Sequence, residues 1–63
     1  MTQITVKAAR VNAGLTQAEA AKRLGISRSA LIVYEKDPKK IRLEMLAKMR
    51  AIYHMDDRLF FKI

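Results

Sequence analysis

Apolar residues along this chain recur at intervals of three and four rather than two, the spacing of amphipathic helices. The spacing predicts a first helix from Gln3 to Ala13, capped by Thr2, with Ile4, Val6, Ala9 and Ala13 buried and Gly14 supplying the positive φ that ends it. Thr16 to Glu19 reads Thr-Gln-Ala-Glu, a capping box that opens a second helix through Ala20, Ala21 and Leu24 to Gly25. Ile26 and the cap residue Ser27 then start a third helix that runs to about Glu35. Lys36 to Ile41 reads as a loop, because a residue before proline avoids the helical region and Asp37 precedes Pro38. A fourth helix is expected from about Arg42 to Tyr53, with Leu43, Leu46, Met49, Ile52 and Tyr53 facing inward. Asp56 caps a short fifth helix that carries Leu59 and Phe60.

The pattern therefore describes one all-α domain over residues 1–63, and composition narrows what such a domain can do. So short a chain buries only about 60% of its unfolded surface and sits near the lower limit for folding without staples. It has no cysteine, so no disulfide or Cys-ligated metal site adds stability, and packing has to supply it. No apolar run approaches the roughly 18 residues of a membrane span. The opening Met1-Thr2-Gln3-Ile4 lacks the basic run and apolar stretch of a secretory signal, which makes the cytoplasm the expected compartment. Thirteen Lys and Arg against six Asp and Glu give a net charge of +7, a field that attracts polyanions, nucleic acid first and acidic membrane second.

Only Gly25 and Ile26 separate the second and third helices, and a single left-handed residue turns the chain too sharply for an antiparallel pair. That is the geometry of a helix-turn-helix. Gly14-Leu15-Thr16-Gln17, Leu24-Gly25-Ile26-Ser27-Arg28-Ser29 and Tyr34-Glu35 stand in the order and spacing of one family. On these residues the chain resembles the Cro and lambda-repressor type helix-turn-helix proteins, over Ile4 to Phe61 without gaps. The resemblance implies a five-helix lambda-repressor-like DNA-binding domain with the motif at helices 2 and 3. At Asp37 the family usually carries Gly, so the backbone there is expected to be either strained, in a left-handed conformation that Asp tolerates better than most residues, or differently turned.

The resemblance also makes the third helix the recognition helix and assigns base reading to Arg28, Ser29, Ile32 and Val33. Chemistry agrees with the assignment. With Leu31 and Tyr34 directed into the core, those four face outward, where Arg28 has the planar fork for guanine O6 and N7 and Ile32 and Val33 suit thymine methyls. Gln17 stands where family members bind a phosphate at a helix start, and Ser27, Lys36, Lys39, Lys40 and Arg42 are the further candidates for the sugar-phosphate backbone. Arg10 and Glu35 correspond to a family salt bridge between the first helix and the end of the recognition helix. Phe60, Phe61 and Ile63 offer more apolar area than a short terminal helix can hide, which suits a dimer contact.

Other chemistry finds no support in the residues. His54, the one histidine, stands near Asp56 and Asp57 without a closed ligand set, and no phosphate-binding glycine loop or nucleophilic triad is present, so no metal, cofactor or catalysis is expected. The leading reading is a small repressor that binds double-stranded DNA as a homodimer on a palindromic operator, without a small-molecule effector. A second reading is a protein-interaction module such as an antitoxin or antirepressor partner, with Ile32, Val33, Phe60 and Phe61 as its contact surface. A third, a cationic binder of acidic lipid, ranks last because the charge is spread over several short helices.

Overall fold

The computed structural model describes residues 2–63, and Met1, where the reading of a leader-free start begins, lies outside them. Thr2–Ile4 form a strand, β1, followed by helices α1 (Val6–Asn12), α2 (Gln17–Leu24), α3 (Arg28–Lys36) and α4 (Leu43–Ile52) and a second strand, β2 (Leu59–Phe61). The fold is thus mostly helical, with four α-helices among the described residues instead of five.

Both chain ends depart from helical expectation for one reason. β1 pairs with β2 in parallel, Thr2 opposite Leu59 and Ile4 opposite Phe61, and the Thr2 and Lys62 amides donate to the Arg58 and Ile4 carbonyls at 3.1 and 2.8 Å. Segments more than fifty positions apart in sequence supply each other's backbone partners, a bond that local helical spacing does not register. The first helix therefore starts later than expected. Thr5, not Thr2, caps it, its Oγ1 accepting from the Ala8 amide at 3.0 Å. At the other end Asp56 caps no helix; its carboxylate accepts instead from the Arg58 amide at 2.9 Å.

Between the ends, local rules hold closely. Thr16 Oγ1 accepts from the Glu19 amide at 3.1 Å while the Glu19 carboxylate accepts from the Thr16 amide at 3.0 Å, closing the capping box. The amide of Thr16, and then its hydroxyl, hold the Glu19 carboxyl below its usual pKa. Gly25 ends α2 at φ 74°, a left-handed backbone that a side chain would disfavour, and Ser27 opens α3 with its Oγ accepting from the Ala30 amide at 3.0 Å. Asp37 has φ −133°, so of the two expected outcomes the chain is differently turned there and not left-handed. Pro38–Lys40 instead wind a 3₁₀ turn with proline at its start, where the missing amide is no loss, and Ile41 then anchors the loop in the core.

The core is built from Val6, Ala9, Leu15, Ala20, Ala21, Leu24, Leu31, Ile41, Met49 and Tyr53. Ala20 and Ala21 keep α2 thin where it meets α3 and α4, so that Leu24, Leu31 and Met49 close over it with under 2% of their surface exposed. On α4, Met49 and Tyr53 are buried and Leu46 and Ile52 half-buried. Leu43, in the first turn of α4, is 84% exposed, on the rim of a groove with the C-terminal residues instead of in the core. Among the described residues no helix is long and apolar enough to cross a membrane.

Candidate nucleic-acid interface

α3 owes its orientation to residues on both of its flanks. Leu31 is fully buried and Tyr34 packs against the core, which rotates Arg28, Ser29 and Val33 into solvent and leaves Ile32 half-buried at the margin. Val33, 44% exposed, is an apolar residue without a partner on a charged surface. Arg28, Ser29, Val33 and Lys36 are exposed along α3, and the chain leads on to exposed Lys39, Lys40 and Arg42, so the outward face of α3 runs into a cationic segment. Ser27 is exposed too; its oxygen is engaged as a cap, but its hydroxyl proton is free for an acceptor.

Behind this face lies a buried ion pair. Arg10 Nε donates to Glu35 Oε2 at 2.7 Å and Arg10 Nη2 to Oε1 at 3.4 Å, with the two side chains only 8% and 6% exposed. Arg10 Nη1 meets the Leu15 carbonyl at 2.8 Å, so the guanidinium ties the end of α3 to α1 and to the loop that leads into α2. Such a pair contributes little net stability over an apolar substitute, whereas removing one partner is costly because it strands the other charge. Tyr53 lies within reach of its field. Burial first, and then the Glu35 charge, push the Tyr53 phenol up to about 12, and its buried hydroxyl has no hydrogen-bond partner among the described residues.

Gln17 is placed differently from a free phosphate ligand. Its Nε2 donates to Glu35 Oε1 at 3.2 Å and its Oε1 accepts from Arg28 Nη2 at 3.3 Å, so both ends of the amide are engaged within the protein. Nothing in the helical pattern points to this, since partners 11 and 18 positions apart meet only after α1, α2 and α3 have packed.

At the chain's C-terminal end, Phe60 is 40% and Ile63 57% exposed, whereas Phe61 is half-buried and packs on the core. With Leu43 they line a shallow apolar groove that Leu46, Ala47 and Arg50 complete. Arg50 is the residue that sequence reasoning passed over. Its guanidinium donates to the Leu59 carbonyl at 2.7 Å and the Asp56 carbonyl at 3.4 Å and lies 5.8 Å from the centre of the Phe60 ring, clasping β2 to α4. A lone arginine on a helix carries no sequence signal for that role.

A family model described as helix-turn-helix matches residues 6–57, which takes in α1 to α4 and the loop cations. No curated protein matches the sequence, and no solved structure does.

Proposed function

From the premise that this chain belongs to the helix-turn-helix family of the Cro and lambda-repressor type, a family of DNA-binding regulators and not of enzymes, we propose that it is a sequence-specific repressor working as a homodimer on a palindromic operator. The observation that carries the proposal is the outward face of α3, where Arg28, Ser29 and Val33 are exposed with Ile32 at their edge, next to a cationic loop on a +7 chain. In the major groove the Arg28 guanidinium takes guanine O6 and N7, Ser29 offers a weakly selective hydroxyl, and Ile32 and Val33 meet thymine methyls. Ser27, Lys36, Lys39, Lys40 and Arg42 hold phosphates and set the register without reading sequence. Occupying the groove in this way excludes other proteins from the same site, the simplest route to repression.

One recognition helix reads only a few base pairs, so selectivity calls for two. Leu43, Phe60 and Ile63 are exposed apolar positions that line one groove, and burying them against the same residues of a second copy suits a self-complementary two-fold contact. Two half-sites about 34 to 36 Å apart put both copies of α3 on one side of the duplex.

Titration of a selected palindrome between low and physiological salt tests both parts. Affinity is expected to fall with a log-log slope of roughly −0.9 per neutralised phosphate, and sedimentation is expected to find two chains per duplex. A flat salt response would remove the backbone footprint and favour the protein-partner reading. One chain per palindrome at saturation would remove the dimer alone.

A further inference from the structure

We propose that the buried Arg10–Glu35 pair determines base preference as well as helix packing, by acting through Gln17 on the guanidinium of Arg28. The inference rests on the reading of α3 as a base-contacting helix and assigns Gln17 a task other than holding a phosphate.

The steps follow from what each group can donate or accept. An ionised carboxylate has only lone pairs to offer and a guanidinium only N–H groups. Glu35 Oε1, fixed by Arg10, therefore requires the amino end of the Gln17 amide, which it receives at 3.2 Å. The carbonyl end of that amide is left facing outward, and an outward acceptor suits a donor. Arg28 Nη2 meets it at 3.3 Å. A phosphate in the same place would confront an oxygen, and only the second amide N–H of Gln17 would remain to receive it.

The order of burial points the same way, from a pair under a tenth exposed, through half-buried Gln17, to exposed Arg28. A buried charge that cannot change its partners thus fixes the polarity of an intermediate amide, and the amide restricts a side chain that would otherwise sample many rotamers. Of the five N–H groups of Arg28, one is spent on Gln17, and the remainder are free for the two acceptors of a guanine edge. Gln17 is in these terms a positioning residue, and Glu35 acts one step behind it.

The test uses the full chain, a duplex selected by it from a random pool, and the same duplex with the Arg28-dependent G·C pair exchanged for A·T. Gln17→Met keeps the length of the side chain and removes both hydrogen bonds. It is expected to lower the preference for the selected duplex about 3- to 10-fold while leaving the exchanged duplex nearly unchanged, the size of one net hydrogen bond. In an Arg28→Ala background the same change is expected to add nothing. Glu35→Gln, whose amide can present either end, is expected to reproduce the loss. Should that variant fold poorly, the side-chain amide protons of Gln17 in the unaltered protein serve instead, with slowed exchange supporting the Glu35 contact and free exchange overturning it. Equal weakening of both duplexes, in both backgrounds, would make Gln17 a phosphate ligand and overturn the relay while sparing DNA recognition. No effect of Gln17→Met on either duplex would also overturn it. Loss of no base preference in Arg28→Ala alone would instead sink the base-reading assignment on which the relay depends.

Discussion

Residues 5–36 and residues 37–63 of this protein reach their structure by different means. In the first region every helix begins at a side chain that accepts an amide three positions on, Thr5, Thr16 and Ser27, and the sharp turn falls on Gly25. In the second, Arg42 opens α4 without a side-chain cap, and the left-handed residue that ends the helix is His54, at φ 52°. The Met55 amide still bonds back to the Arg50 carbonyl at 3.0 Å, the closure of a Schellman-type helix end, but with a residue that is strained there. The first region is specified by neighbours in sequence and carries the proposed reading face. The second is held by tertiary contacts through Arg50, β1 and Ile41.

That contrast is broken most severely at the ion pair. Glu35→Ala strands the Arg10 charge in a site where it is only 7% exposed, and a loss of about 3 kcal/mol or more is expected in urea unfolding. Arg10→Ala is expected to cost a similar amount, and the double substitution less than the sum. Additive losses would mean that the two side chains do not depend on each other.

A smaller and more local effect is expected at Arg50. Arg50→Ala leaves the Leu59 and Asp56 carbonyls without their donor, for a loss of about 1 to 2 kcal/mol. Hydrogen exchange should quicken at the Thr2 and Lys62 amides while α2 and α3 keep their protection. Uniform loss of protection would show that the two regions unfold as one.

Two of the left-handed positions, Gly25 in the first region and His54 in the second, sharpen the comparison by opposite signs. Gly25→Ala is expected to cost about 1 kcal/mol, although a β-carbon there meets nothing within 4 Å, because the penalty lies in the backbone. His54→Gly relieves the same strain and is expected to gain up to about 1 kcal/mol. Thermal melts of both variants decide the matter, and a shared sign would contradict the account.

The smallest effect at neutral pH is expected at Tyr53, whose unpartnered hydroxyl makes Tyr53→Phe neutral or stabilising by under about 1 kcal/mol. At alkaline pH the difference grows. An unfolded tyrosine ionises near 10, whereas the folded phenol holds its proton to about 12, so the stability it contributes is complete below pH 10 and is lost as pH rises from there toward 12. The steepest decline this group can impose is about 1.4 kcal/mol per pH unit, and Tyr53→Phe should lack that component.

The same division explains what could be read before any coordinates. α2, the Gly25 turn and α3 were legible because a capping box, a glycine and a serine each act within four residues of themselves. The start of α1 was misplaced by three residues since Thr2 and Thr5 are equivalent candidates until β2 claims the segment before Thr5. Leu43 has the apolar character and the interval of an inward residue, yet it faces solvent, because which side of α4 meets α2 is decided by Met49 and Tyr53. Of the proposed site, the outward set on α3 follows from the burial of Leu31 and Tyr34. The engagement of Gln17 with both Glu35 and Arg28 depends on three helices at once, and periodicity carries no trace of it.

Selection of bound duplexes from a random pool, run in parallel with the unaltered chain, Arg28→Ala and Lys40→Ala, tests the central claim most directly. The unaltered chain should return a two-fold symmetric site containing a G·C pair in each half. Arg28→Ala should lose about 1 to 3 kcal/mol on that site and relax preference at that pair alone, whereas Lys40→Ala should weaken all duplexes alike and flatten the salt slope by about one unit. Identical behaviour of the two variants across sequences would reduce Arg28 to another phosphate contact and contradict the assignment of α3 as the helix that reads DNA.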